Sequence, residues 1–180
     1  MNIKLGAIGK IPIKKIQELF EILLIASAIT LGFFLVFWPL RIEGSSMQDT
    51  FDSNDLIIVS RVVSWFSIGR GDIVLCRFQV DDEDTQIIKR VIGVPNEHLK
   101  ISGGKVYING ELLWEDYKKY AETYGDIEIY LNNNEYFVMG DNRRLSQDSR
   151  QLGVVRKRDI SAKALFRFPS FTEKIIANTP

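Results

Sequence analysis

The residues that first suggest chemistry are two adjacent serines, Ser45 and Ser46, in the short stretch Gly44–Met47. A serine hydroxyl attacks a carbonyl carbon effectively only when a base removes its proton. The usual base is a histidine held by a carboxylate, but the chain has a single histidine, His98, in the polar stretch Asn96–Leu99. That setting favours an exposed turn residue over a catalytic base, so a lysine is the next candidate.

Lys89 is the lysine with the most unusual neighbours, since it lies inside the apolar segment Gln86–Ile92. A lysine acts as a base only when neutral, so its pKa must fall well below about 10.4 through desolvation or a nearby positive charge. A strand period of two places Lys89 on one face with Ile87 and Val91. Arg90 then lies on the opposite face. The pattern leaves two interpretations open: a functional lysine, or an edge strand with two exposed charges.

A third polar stretch, Gly140–Arg150, is dense in turn formers and hydrogen-bonding side chains. Its composition alone does not distinguish a site from an exposed loop. Cys76, the single cysteine, lies in the apolar stretch that begins at Asp72 and is interpreted as a small buried residue. One cysteine and one histidine exclude an intrachain disulfide and a zinc site of the usual kind.

The element that precedes the serines is an uncharged apolar run at 22–40, about 28 Å long as a helix and close to the ~30 Å of a bilayer core. We predict a transmembrane helix over 22–40, ended by Pro39. The alternative is a cleavable signal peptide, whose apolar region is usually shorter and is followed by a small-x-small site. The only such motif in the run, at 26–28, lies in its middle.

Flanking charge predicts the orientation of this span. Four lysines precede it and only Arg41 follows within residues 41–60, which by the positive-inside rule places the N-terminus in the cytoplasm. The expected organisation is a cytoplasmic segment at 1–21, the transmembrane helix at 22–40 and an extracytoplasmic domain at 41–180. The chain has 23 basic and 23 acidic residues, and this balance argues against a nucleic-acid partner.

Residues 41–180 are predicted to be mainly β, with antiparallel hairpins. Ser102-Gly103-Gly104 and Asn109-Gly110 are turn signals between apolar segments, and Asn-Gly is the strongest short hairpin cue. The polar and aromatic segment 114–126 is predicted to be a helical turn or a loop. The predicted strands lie near 56–59, 72–78, 85–92, 99–101, 106–108, 127–130, 136–139 and 164–168.

Taken in chain order, Gly44–Met47, Lys89–Pro95 and Gly140–Arg150 resemble the signature boxes of the type I signal peptidases, and Arg70–Val74 matches a further box. The similarity covers roughly residues 20 to 168, and the single anchor resembles the Gram-positive form of the family. It implies a membrane-anchored serine endopeptidase that removes signal peptides from exported preproteins by cleaving after small-x-small motifs. The implied fold is a coiled set of antiparallel β-sheets with an apolar surface resting on the membrane.

The resemblance also implies residue roles. Ser46, directly before the methionine, corresponds to the nucleophile, Lys89 to the general base, and Ser146 to a serine that hydrogen-bonds and orients that lysine. The residues that match supporting positions are Arg90, Asp141, Asp148 and Arg150. The residues that match the small substrate pockets are Leu40, Ile42, Met47, Phe51, Leu75, Ile87 and Ile88. No cofactor or metal is expected. The expected partners are signal peptides and the lipid bilayer, with the secretion translocon as a candidate.

The chain departs from the family pattern in three places. Gly44 offers no hydroxyl at the position that supplies an oxyanion donor in some members. Asp49 stands where proline is usual. Asn96-Glu97 replaces Gly-Asp, and asparagine tolerates the left-handed conformation that glycine would adopt.

Two other classes of protein fit parts of this pattern. One is an anchored β domain that binds peptides without catalysis, and the other is a self-cleaving Ser/Lys repressor of the SOS response. The apolar span and the lack of a DNA-binding segment argue against the repressor. An assay on an Ala-x-Ala substrate separates the enzyme from the binding domain.

Overall fold

The computed structural model describes residues 12–48, 50–62, 67–80, 83–118 and 122–169. It confirms a mainly β architecture preceded by one long apolar helix. The chain separates into two units, one ending at Val36 that contains the helix and one beginning at Phe37 that contains the strands.

The helix α1 covers Ile13–Val36, and none of its residues is buried. Its 24 residues give a length of about 36 Å, enough to cross a bilayer core, and its most apolar window has a mean hydropathy of 2.4. The helix begins earlier than the predicted span 22–40, at Ile13, and it ends earlier, because residues 37–40 belong to a strand. Pro39 accounts for this difference, since the residue before a proline avoids helical backbone and an edge strand tolerates the missing N–H.

In the described part of the second unit there are eleven strands, a short helix and a 3₁₀ turn. The strands are β1 Phe37–Arg41, β2 Leu56–Ser60, β3 Ile73–Val80, β4 Glu83–Gly93, β5 His98–Ser102, β6 Lys105–Ile108, β7 Glu111–Leu112, β8 Ile127–Tyr130, β9 Glu135–Met139, β10 Val155–Arg156 and β11 Ile160–Phe168. The helix α2 covers Ser149–Leu152 and the 3₁₀ turn Lys157–Asp159.

The strands form two antiparallel sheets. The larger has the order β1-β2-β11-β3-β4-β9-β10, and the smaller has the order β7-β6-β5-β8. Both predicted hairpins are confirmed, one between β5 and β6 and one between β6 and β7. At the second hairpin Asn109 and Gly110 have φ of 53° and 87°, the left-handed values that this pair tolerates.

Three hydrophobic clusters hold the strands together. One is centred on β3 and includes Val74 and Cys76, and a second joins the small sheet to β9 through Leu99 and Phe137. The third lies beneath the loop after β1 and includes Met47. Because these clusters meet β3, β4 and β9, those three strands give the polar loops around them a rigid base.

Candidate active site

The structure brings Ser46 and Lys89 together. Ser46 lies in a turn after β1, which is closed by the bond from the Gln48 N–H to the Ser45 carbonyl at 3.1 Å. Lys89 projects from β4, and its Nζ donates to Ser46 Oγ at 2.8 Å and to the Ile88 carbonyl at 3.0 Å. Ser45 is exposed, whereas Ser46 is half-buried. A hydroxyl within hydrogen-bond reach of an amine has the geometry that nucleophile activation requires.

Burial makes the Lys89 amine a plausible proton acceptor. The residue is 3 % exposed, so loss of solvation lowers its pKa below the ordinary 10.5. The carboxylate of Asp148 opposes this effect and the guanidinium of Arg150 adds to it, but desolvation is the largest cause. The alternative of an edge strand with two exposed charges is therefore wrong, since Arg90 is buried as well.

The backbone around Ser46 suits an oxyanion donor. No acceptor for the Ser46 N–H is found among the described residues, and a backbone N–H at the nucleophile is a suitable donor to a developing negative charge. Gly44 has a φ of 88°, a left-handed conformation that a serine or threonine would adopt only with strain. The backbone here thus favours glycine over a residue with a hydroxyl. Asp49 lies outside the described residues.

The stretch 140–150 packs directly against the nucleophile. The Asn142 N–H donates to the Ser46 carbonyl oxygen at 3.1 Å. A Cβ added to Gly140 would lie 2.3 Å from Ser146 Oγ and 2.4 Å from the Ser46 carbonyl oxygen, so no larger residue fits. This close approach is the reason that a glycine is needed at the start of the loop.

Asp148 and Arg150 hold the end of the same loop. The Asp148 carboxylate accepts from the Gly140 N–H at 3.0 Å and from Arg150 Nε at 2.8 Å. Asp148 also caps α2, and the Gln151 side chain completes a capping box by accepting from the Asp148 N–H. The sequence analysis missed this helix, although an aspartate followed three residues later by glutamine is a recognised signal.

The predicted hydrogen bond between Ser146 and Lys89 is absent. Ser146 Oγ is buried and has no hydrogen-bond partner among the described residues. Its side chain is instead packed beside Gly140, near the Ser46 carbonyl. The two acceptors of Lys89 are Ser46 Oγ and the Ile88 carbonyl, so the lysine is oriented by the nucleophile and by its own strand.

Arg90 and Asp141 form a buried ion pair behind Lys89. Arg90 Nε and Nη2 donate to the two carboxylate oxygens of Asp141 at 2.8 and 2.6 Å. Arg90 Nη2 also donates to Thr50 Oγ1 at 3.0 Å, which connects the loop after Ser46 to this pair. The Tyr117 ring covers the guanidinium at 4.1 Å from its centroid, a cation–π contact.

A second buried network, missed from the sequence, lies behind the loop. Glu115 is 2 % exposed at its side chain and forms a two-point ion pair with Arg143. The pKa of Glu115 is lowered by its bonds to Arg143, Lys118 and Tyr117, despite burial. Arg143 Nε donates to the Gly140 carbonyl at 3.1 Å. The segment predicted as a helical turn or a loop therefore braces the turn that contacts Ser46.

An open groove of about 360 Å³ runs from Ser46 and Lys89 along β1 and β4. Five of the seven predicted substrate residues line it, namely Leu40, Ile42, Leu75, Ile87 and Ile88. Met47 and Phe51 do not line it, because both are buried in the cluster beneath. They lie beneath the groove, and a contact between either residue and substrate stays a prediction.

Other candidate residues lie outside the groove. His98 begins β5 and stacks on Tyr130, so it is a strand residue of the small sheet and not part of a turn. Cys76 is buried as predicted, and burial raises its pKa to about 12. A larger depression of about 460 Å³ also lies on the small sheet, where Lys100 forms an exposed ion pair with Glu128 and no serine adjoins that lysine's amine among its recorded contacts. Among the described residues no acidic, cysteine or histidine cluster suits a metal ion.

Comparison with known proteins places this geometry in context. The model of the family described as signal peptidase, peptidase S26, matches residues 15–169. Signal peptidase I S of Bacillus subtilis is 33 % identical over 153 residues, covering 77 % of this chain and 80 % of the relative. Signal peptidase I U of the same organism is 35 % identical over 173 residues, covering 89 % and 90 %. A solved signal peptidase I from Enterococcus faecalis is 29 % identical with a TM-score of 0.47, covering 56 % of this chain and 98 % of that one.

Proposed function

The chain belongs to the peptidase S26 family of signal peptidases and is a serine peptidase of that family, and from this premise we propose that Ser46 and Lys89 form its catalytic dyad. The substrates are N-terminal signal peptides of exported preproteins, cleaved after small-x-small motifs. The observation that carries the proposal is the 2.8 Å contact between Lys89 Nζ and Ser46 Oγ, made by a buried lysine whose pKa is lowered.

The reaction begins with neutral Lys89, which accepts the proton of Ser46 as Oγ bonds to the carbonyl carbon of the scissile peptide. The resulting oxyanion accepts a hydrogen bond from the Ser46 N–H. Lys89, now protonated, gives its proton to the leaving amine as the C–N bond breaks, which leaves an acyl-enzyme. Water then loses a proton to Lys89 and attacks the ester carbon. As the ester C–O bond breaks, Lys89 returns that proton to Ser46 Oγ, which restores the free enzyme.

The loop 140–150 and the residues that contact it hold Ser46 and Lys89 in position for this reaction. Asp141 neutralises Arg90, the immediate neighbour of the base, and Asp148 with Arg150 fixes the loop whose backbone contacts Ser46. Rigid support matters because the rate depends steeply on the distance between the reacting atoms.

The groove supports an extended peptide substrate. β1 is an edge strand, and β4 pairs with β3 over Ile73–Val80 but with β9 only from Arg90 onward. Both strands therefore offer backbone groups for β-augmentation. Large apolar side chains such as Leu40 and Ile88 line the groove near Ser46, which supports a preference for alanine-sized residues before the scissile bond.

The helix α1 is the proposed membrane anchor, with the strand-rich unit outside the cytoplasm. Its length and hydropathy suit a bilayer. Lys14 and Lys15 lie in its first turn and follow the positive-inside rule. The proposed partners are the bilayer and, as a candidate for substrate delivery, the secretion translocon.

The test uses membranes carrying the full chain and a preprotein with an Ala-x-Ala site. We expect Ser46→Ala and Lys89→Ala each to abolish cleavage. Ser45→Ala makes the same chemical change one residue away and is expected to cleave normally. Normal cleavage by either dyad variant would contradict the proposed mechanism. An inactive wild type would instead favour a peptide-binding domain.

A further inference from the structure

A second cavity adjoins the groove at the end away from Ser46. It has a volume of about 300 Å³ and shares Leu40, Leu75 and Gln86 with the groove, so the two lie side by side. We call the groove and this cavity together the channel. Its other apolar walls are Trp38 of β1, Val59 of β2 and Ala162 of β11. The cavity lies outside the proposed Ser46–Lys89 site, since neither residue lines it.

The spacing of β1 relates this cavity to the substrate. Trp38, Leu40 and Ile42 are two residues apart in sequence, so the strand places them along one face towards Ser46. An extended peptide beside β1 advances by the same distance per residue. If the residue before the scissile bond lies over Ile42, the third residue before it lies over Leu40 and the fifth lies over Trp38.

We propose that the cavity at Trp38 is a subsite for the side chain of the fifth residue before the scissile bond, and that it binds a large apolar side chain such as leucine. This inference rests on the proposed function, because it takes the substrate direction from the Ser46–Lys89 dyad. The first and third positions face the groove beside Ser46, whereas the fifth faces an additional space walled by Trp38, Val59 and Ala162.

Arg61 gives the subsite a charge preference. It lines the cavity, and its guanidinium lies 5.8 Å from the centroid of the Trp38 ring. A lysine at the fifth position would bring a second positive charge to this group, and like charges within a few ångströms repel. The subsite therefore favours leucine over alanine and alanine over lysine.

The test uses the purified full chain in detergent and three peptides that differ only at the fifth position, with leucine, alanine or lysine there. All three carry alanine at the first and third positions. We expect kcat/KM for the leucine peptide to exceed that for the alanine peptide by about tenfold, the scale of an apolar pocket contact. Trp38→Ala should reduce this ratio to about twofold, and Trp38→Phe should retain most of it.

Trp114 supplies the matched control, because it is 82 % exposed and lines neither part of the channel. Trp114→Ala is expected to keep the tenfold ratio. Arg61→Ala should raise cleavage of the lysine peptide several-fold relative to the alanine peptide, a test that does not depend on how Trp38→Ala folds.

Equal kcat/KM for the three peptides with wild-type enzyme would overturn the subsite, as would an unchanged leucine-to-alanine ratio in folded Trp38→Ala. Failure of the proposed function has a different signature. In that case the wild type cleaves none of the peptides, or Ser46→Ala cleaves them as well as the wild type does.

Discussion

Replacing Gly140 by alanine is expected to remove most of the activity while leaving the protein folded. The added Cβ would lie 2.4 Å from the Ser46 carbonyl oxygen and 2.3 Å from Ser146 Oγ. Ordinary van der Waals contact begins near 3.4 Å, so the Ser46 carbonyl must move by about 1 Å. Ser146 Oγ can rotate away, but Ser146 Cβ, 2.5 Å from the added Cβ, is fixed by its backbone, so Ser146 has to shift together with the Ser46 carbonyl.

This displacement acts on the reacting atoms because the carbonyl belongs to the nucleophile itself. The same oxygen accepts the Asn142 N–H at 3.1 Å, and Ser46 Oγ accepts from Lys89 at 2.8 Å. A misplacement of about 1 Å at a reacting group costs on the order of 100-fold in rate. We expect kcat of Gly140→Ala for a peptide substrate to fall by about that factor, with cooperative unfolding retained in urea.

Two other glycines provide matched controls. Gly69→Ala adds a Cβ whose nearest neighbour is Asp72 Oδ2 at 3.8 Å, and it should behave as the wild type. Gly93→Ala places its Cβ 2.6 Å from Leu131 Cδ1 in the core of the small sheet. Such overpacking costs about 1–3 kcal/mol of stability, but kcat per folded molecule should not change. A folded Gly140→Ala enzyme with kcat within about twofold of the wild type would refute the argument.

Three further predictions concern buried charges. The pKa of Lys89 is lowered by burial, so kcat should rise as pH rises through that pKa, and a rate that stays constant from pH 10 to about pH 5 would contradict a lysine base. In the unfolded chain Lys89 stays protonated up to about pH 10.5, whereas in the folded chain it loses its proton at a lower pH. The free energy of unfolding therefore rises with pH between these two values. Lys89→Met should flatten this slope when urea unfolding is measured at several pH values. Glu115→Gln leaves Arg143 buried without its counter-charge and should lower the free energy of unfolding by about 3–5 kcal/mol. Glu128→Gln, which alters an exposed pair with Lys100, should leave urea unfolding unchanged, and equal stability of the two variants would contradict the role assigned to Glu115.

Local signals in the sequence were sufficient for much of the fold. The hairpin at Asn109-Gly110 forms as predicted because the turn depends on the φ preferences of two adjacent residues. The apolar helix was found from its composition, but its end was not, since residues 37–40 are apolar in either conformation and pair with β2 through contacts that sequence does not display. The helix α2 was missed although Asp148 and Gln151 carry its capping signal.

Sequence patterns did not predict the buried network that supports the loop 140–150. Glu115 and Tyr117 come from a segment with no clear periodicity, and their partners Arg143 and Arg90 lie 28 and 27 positions away in the chain. Met47 and Phe51 show the same limit, because an apolar side chain near a groove can line it or lie beneath it. Which of these occurs depends on the packing of β2 and β11, not on residue type.

By itself the sequence determined what the residues near Ser46 can do chemically: it supplied a serine without a usable histidine, a lysine in an apolar strand and an apolar run long enough for a membrane. Tertiary structure decided which of these groups meet. It brought Ser46 and Lys89 to 2.8 Å across 43 positions of chain, left Ser146 without the lysine contact expected of it, and extended the groove to Trp38. The physical reason is that reactivity depends on desolvation and distances of a few ångströms, and both arise only when distant strands pack together.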